Sequence, residues 1–317
     1  MRRALALAAA AAALLAGGRA EAGSIYFGAN RPEQYDFADL AQLPRAFGRG
    51  EFTFELWVKP DHRFPVGETA RGTRDQLTHW TALDAEPYSS HFWWLPGNWL
   101  LDGHSRPNGY GPGDSRAGTF SLQFYGGGRL RWMFADTKEG MPKGMVHAVQ
   151  AWPATTTPSL LDGKWHHVVA VRRWREPVGA TLELWIDGKR VAATDIPHRN
   201  DMHRFWDKLA HPGDPAELGG WALGAEVMTA WNIAFTQYED YKGLIDDVRL
   251  WGRAPSGDEI AAWAAARPAR RPGLLAHFSF DEGKGAAARD AVDPAYRLEL
   301  HRMAADAWSR EEGPGAK

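Results

Sequence analysis

The sequence predicts an all-β fold, an antiparallel two-sheet sandwich with long rim loops and one short late helix. Three observations predict it. Apolar residues alternate with period two in many short segments, glycine-rich or Asp-Gly turns separate pairs of these segments, and a single stretch carries helix start and stop signals.

In order along the chain, EFTFELWVKP places Phe52, Phe54, Leu56 and Val58 on one face of a strand and Glu51, Thr53, Glu55, Trp57 and Lys59 on the other. HFWWLPGNW follows, with adjacent Trp93 and Trp94 pointing to opposite sides of a strand and Trp99 released after a Pro96-Gly97 turn. TFSLQFYGGGRLRWMFA reads as a hairpin around Gly126 to Gly128, and TLELWIDGKRVAATD as a second one around Asp187-Gly188. Between them, LLDGKWHHVVAVRRW turns at Asp162-Gly163 and runs on as a strand. His166, Val168 and Ala170 share one face of it, and His167, Val169 and Val171 share the other. GGWALGAEV and YKGLIDDVRLWGR supply two more strands, the second with Asp246 and Asp247 alternating between faces. Ser256 caps the helix SGDEIAAWAAAR, which stops at Arg267-Pro268, and LLAHFSFDE with RLELHRM forms a final strand pair. Residues 60 to 76, 95 to 118 and 196 to 218 lack periodicity and read as rim loops, a length that favours function.

Residues 1–22 carry Arg2, Arg3, an apolar run and Ala20-Glu21-Ala22, the pattern of a secretory signal peptide, leaving residues 23–317 as a single domain. The protein is therefore expected to be secreted or periplasmic. No later stretch approaches the roughly 20 apolar residues of a membrane span, so an integral membrane protein is not expected. There is no cysteine, which removes disulfides and thiol chemistry. A net charge of -2 without a basic face argues against nucleic acid.

FTFELWVKPD, DGKWHHVVAVRRW, TLELWIDGKRVAATD, LGGWALGAE, YKGLIDDVRLWGRAPSGDEIAA and LLAHFSFDEGKG together resemble the laminin-G-like domains of the concanavalin A-like lectin/glucanase superfamily, over roughly residues 24 to 303. The resemblance implies a jelly roll, a carbohydrate- or protein-binding module of exported proteins, and often one calcium ion at the loop rim. Pentraxins are similar in the later strands. Their metal positions correspond loosely to Glu226 in LGAEVM and to Asp84 and Glu86 in ALDAEPYSS, and a laminin-G position corresponds to Asp114. Hard cations take six or more oxygens, so these acids with backbone and water could hold calcium. The loop residues His198, His203 and His211 fit no zinc spacing.

Glucanases of the superfamily use Glu-x-Asp carboxylates on one strand face, and no Glu-x-Asp occurs here, nor the Gln-x-His of its lyases. A non-catalytic module is expected. The 16 tryptophans exceed what a core needs. Trp94 and Trp99 are candidate stacking platforms for a sugar, with Asp102, Asn108 and Tyr110 as polar partners in the same loop. The expected ligand is a glycan or polysaccharide. The alternatives are an adhesion or assembly domain that binds an extracellular protein through an aromatic outer sheet face (Trp57, Trp185), and a polysaccharide hydrolase or lyase of unfamiliar mechanism. If that face is covered by loops instead, it is not a docking surface.

Overall fold

The structure is a computed structural model that describes residues 23–27, 37–39, 50–61, 98–102, 119–125, 128–135, 146–150, 159–177, 179–196, 222–224, 241–266, 272–301 and 307–309. Its elements are β1 (Ser24–Phe27), β2 (Phe37–Asp39), β3 (Phe52–Pro60), β4 (Asn98–Asp102), β5 (Thr119–Tyr125), β6 (Arg129–Ala135), β7 (Val146–Gln150) and β8 (His166–Trp174). Next come β9 (Ala180–Ile186), β10 (Lys189–Ile196), β11 (Ala222–Leu223), β12 (Gly243–Trp251), α1 (Gly257–Ala265), β13 (Leu274–Phe278), β14 (Ala287–Arg289), β15 (Arg297–His301) and β16 (Trp308–Ser309). They form two sheets. The first runs β10-β9-β8-β3-β12-β1-β16 with β13 also on β12, and the second runs β14-β15-β2-β11-β4-β5-β6-β7.

The alternation in the sequence is what brings the sheets together. Phe52, Phe54, Leu56 and Val58 of β3, with Val168 and Ala170 of β8, meet Leu122 and Phe124 of β5 and Leu130 and Trp132 of β6 in one core cluster. Phe52 and Trp132 contact edge to face across it, with ring centroids 6.1 Å apart. Both expected hairpins are present, β5 on β6 and β9 on β10. Asp187 and Gly188 both have positive φ, as a two-residue hairpin turn requires.

A third layer lies on the outside of the first sheet. The other faces of β8 and β12 offer Val169, Val171 and Trp251, and α1 covers them with Ile260 and Trp263. Trp251 and Trp263 stack at 4.4 Å and 14°. The helix starts where expected: the Ser256 side chain accepts from Glu259 N at 3.2 Å and Glu259 Oε2 accepts from Ser256 N at 2.9 Å, a capping box.

Four expectations change. Asn98–Asp102, expected within the rim loop of residues 95 to 118, is strand β4, paired with β5 and β11. LLAHFSFDE and RLELHRM do not pair with each other: β13 pairs with β12 in the first sheet, and β15 with β14 and β2 in the second. Asp246 and Asp247 do not simply alternate. The β12–β3 register passes from Asp246↔Trp57 to Arg249↔Glu55, so two residues of β12 oppose one of β3. This is a bulge, with Asp247 at φ 56, and it leaves Ile245 and Val248 both in the core. Finally, the aromatic outer face of the first sheet is covered, since Trp57 is 4% exposed and Trp251 and Trp263 are 0% exposed. Trp174, at 40%, is the large apolar side chain exposed among the described residues.

Candidate functional site

The expected ligand platform meets the structure on β4, in the middle of the second sheet. Its register sets Trp99 opposite Gln123, which is opposite Arg131, which is opposite Gln150. The neighbouring row runs Asp102, Ser121, Met133 and Ala148. Gln123 lies between core residues Leu122 and Phe124, and Arg131 between core residues Leu130 and Trp132, so this row belongs to the outer face. A register shift between Trp99 and Leu101 lets Leu100 and Leu101 both enter the core while Trp99 and Asp102 keep register positions on the outer-face rows. Arg131 Nη2 donates to Gln123 Oε1, and both side chains are fully buried. A buried guanidinium held beside an amide is a rigid polar floor. The sequence reading missed Gln123 and Arg131; their signal was the run of polar residues at outward steps of the hairpin, Thr119, Ser121 and Gln123 on one strand and Arg129 and Arg131 on the other.

The other expected site residues fall outside the described residues: Trp94, Asn108 and Tyr110 of the ligand set, and Asp84, Glu86, Asp114 and Glu226 of the calcium set. Among the described residues, no group of three or more His, Asp or Glu side chains is arranged to hold a metal ion.

The nearest thing to such a group is Asp162, His166 and Asp187, and its geometry gives it another role. His166 Nδ1 lies 2.8 Å from Asp187 Oδ2 and Nε2 lies 3.0 Å from Asp162 Oδ1, so neither ring nitrogen has a lone pair to spare for a metal. Burial alone would lower the His166 pKa, but the hydrogen bonds and charges of Asp187 and Asp162 outweigh it and raise the value. The two carboxyls are shifted the opposite way: burial opposes the change, and His166 holds both below the usual carboxylate range. Asp187 Oδ1 also accepts from His167 N at 2.9 Å. The three side chains therefore clamp the two Asp-Gly turns together.

His167 faces the other way, as adjacent strand positions must, and enters a second polar cluster on the outer face of the first sheet. Its Nε2 lies 3.0 Å from Glu55 Oε1, which also accepts from Arg249 Nη1 at 3.1 Å, while Glu55 Oε2 accepts from Trp251 Nε1 at 2.8 Å. Arg249 Nη2 donates to Asp247 Oδ2 at 2.7 Å, and Asp247 Oδ1 lies 2.5 Å from His277 Nε2. Glu55, His167, Asp247 and Arg249 are at most 2% exposed. Both carboxylates share one guanidinium, each also meets a histidine, and both are screened from solvent, an arrangement that ties β3, β8, β12 and β13 together and leaves neither carboxylate open to attack or protonate a substrate.

Comparison with protein families adds a finding to this geometry. The laminin G-type model described as the concanavalin A-like lectin/glucanases superfamily matches residues 70–261. A comparison with curated proteins found no match. Among solved structures, a candidate carbohydrate-binding protein from Bacteroides ovatus is similar at 14% identity and TM-score 0.48, over 88% of this chain and 58% of that one. The chain thus spans a little over half the length of that protein. A heptameric SAP-like pentraxin from Limulus polyphemus is similar at 13% identity and TM-score 0.46, over 81% of this chain and 88% of that one. Domains LG4-5 of the mouse laminin alpha1 chain follow at 12% identity and TM-score 0.38, over 72% of this chain and 40% of that one.

Proposed function

The chain belongs to the concanavalin A-like lectin/glucanases superfamily, and from that premise we propose that it is an exported, non-catalytic carbohydrate-binding module. The observation that carries the reading is the register that sets Trp99 and Asp102 of β4 at outer-face positions of the second sheet, beside the fully buried Gln123 and Arg131. A pyranose presents an apolar C–H face and a ring of hydroxyls, which an aromatic and a carboxylate residue type on β4 match, while the buried Gln123–Arg131 pair braces the neighbouring strands. The ligand in this reading is a glycan or polysaccharide held at β4. A protein partner docked on the aromatic face of the first sheet is not favoured, because Trp57 and Trp251 are buried there.

The test is a glycan array on the full chain, with and without calcium, repeated with Trp99→Ala. The expected outcome is binding that weakens about thirtyfold in the variant, the size of one lost aromatic anchor of about 2 kcal/mol. Binding that survives the substitution would move the site away from β4, and no binding to any glycan would end the reading.

A further inference from the structure

A groove of about 790 Å³ opens on the outer side of the first sheet, at the edge away from β12, lined by Arg173, Glu183, Trp185, Arg190, Ser256 and Gly257. Its floor is built. Glu183, with a side chain only 5% exposed, takes Arg173 Nε on Oε1 at 3.0 Å and Arg173 Nη2 on Oε2 at 3.2 Å. Its Oε2 also accepts from Trp185 Nε1 at 3.0 Å. The Arg173 guanidinium is held from behind by the carbonyls of Ala254 and Pro255. Trp185 is half-buried, packs on the Val169, Val171, Trp251 and Trp263 cluster, and closes so tightly on Gly257 that a Cβ there would come within 2.9 Å of its ring. The indole is therefore fixed on three sides: by its N–H, by its packed face and by the glycine at its edge.

Arg190 is the loosely held element, with only a long ion pair to Glu183. It comes only within 3.9 Å of Glu183 Oε1, beyond hydrogen-bond reach, and Glu183 is already bidentate with Arg173. Arg190 is 56% exposed and lines the groove. The floor thus holds two guanidinium groups against one carboxylate. The neighbouring Glu259 does not cancel the excess, because Arg253 Nη1 and Nη2 hold it at 3.0 and 2.7 Å; Asp258 stands exposed in the first turn of α1.

We infer that this groove is a second binding site, for an acidic saccharide whose carboxylate or sulfate is held by Arg190 while its ring lies on Trp185. An arginine fork matches a planar or tetrahedral oxyanion, and a fixed indole face matches the C–H face of a sugar ring. The volume falls within the range of small-ligand sites, and the groove is open at the surface, which suits one acidic unit of a longer chain. The site lies on the opposite sheet from Trp99, so it does not depend on the β4 reading.

The experiment titrates the full chain with oligogalacturonate, which is carboxylated, and with a heparin oligosaccharide, which is sulfated, at low salt and at about 0.5 M salt. It is repeated with Arg190→Ala, with Trp185→Phe, with Trp99→Ala and with the control Arg175→Ala, an exposed arginine outside the groove. Binding of at least one probe is expected, weakened about tenfold by Arg190→Ala, reduced by salt, and unchanged by Trp99→Ala and Arg175→Ala. Whichever probe responds identifies the oxyanion. The inference is overturned if neither probe binds, if Arg190→Ala leaves affinity unchanged, or if Arg175→Ala weakens it equally, which would mean diffuse charge attraction. Acidic probes lost only with Trp99→Ala would overturn it while leaving the β4 reading in place.

Discussion

Two regions on the outer face of the first sheet use the same residue types to opposite ends. Around β3 and β12, Glu55, Asp247, Arg249 and Trp251 form a cluster in which the Arg249 terminal nitrogens each meet a carboxylate oxygen, under complete cover. Around β8 to β10, Arg173, Glu183 and Trp185 repeat the motif of arginine, carboxylate and indole N–H, but the repeat lies at a groove and carries an additional, exposed arginine. The difference is one of saturation. A buried charge is tolerated only when it is matched, so the first region can contribute little except rigidity. A nearly buried carboxylate already bidentate with one arginine, with a second and exposed arginine beside it, leaves positive charge for a ligand.

The sharpest way to break this comparison is Arg249→Met. Removing the guanidinium leaves Glu55 and Asp247 buried without the cation they share, and a loss of about 3–5 kcal/mol in unfolding free energy is expected from denaturant titration. If the loss stays below about 1 kcal/mol, the cluster is not what ties β3 to β12, and the contrast with the groove collapses.

His166→Asn comes next, with an expected cost of about 2 kcal/mol for hydrogen bonds to charged partners. Its pH dependence separates it from a packing defect. The His166 pKa is raised above its ordinary 6.5, so its contribution is fully present below 6.5 and disappears as pH rises through the raised value. The carboxyls of Asp162 and Asp187 are lowered from 3.8, so their contribution is present above 3.8 and disappears as pH falls through the lowered values. The gap in melting temperature between the two proteins is therefore expected to be widest from about pH 4 to 6.5 and to narrow on both sides. A gap that is flat with pH would show that the clamp is steric. Smaller again is Ser256→Ala, which removes one half of the capping box at the groove wall and is expected to cost about 1 kcal/mol, read from thermal unfolding.

Much of this architecture was legible in the chain because it depends on local period. The alternation in EFTFELWVKP and HHVVAVRRW sorted β3 and β8 into core and outer faces, Asp187-Gly188 located a hairpin, and Ser256 with Glu259 located the helix start. What was not legible is long-range. Glu55 and Arg249 are 194 residues apart, and nothing in either local pattern says that they meet. The bulge at Asp247 shifts the phase of β12 by one residue, so a strict period-two reading sends one aspartate to the wrong face. The assignment of β13 and β15 to different sheets is likewise a matter of topology rather than of composition. For the candidate site, Trp99 and Asp102 could be named from residue type, but their placement beside Gln123 and Ser121 needed the register of β4 on β5.

The smallest expected effect is the one that tests the comparison from the groove side. Arg190→Ala removes a side chain that is 56% exposed and makes no hydrogen-bond contact with Glu183, so unfolding free energy is expected to stay within about 0.5 kcal/mol of the parent. That near-silence is informative because the same change is expected to weaken acidic saccharides about tenfold. A charge kept for structure would show in the unfolding curve, as Arg249 is expected to. A charge kept for a ligand would show only in the binding curve. If Arg190→Ala destabilised the protein by more than about 1 kcal/mol, Arg190 would be a third partner of Glu183 in solution, and the groove would be saturated like the cluster beneath Trp57.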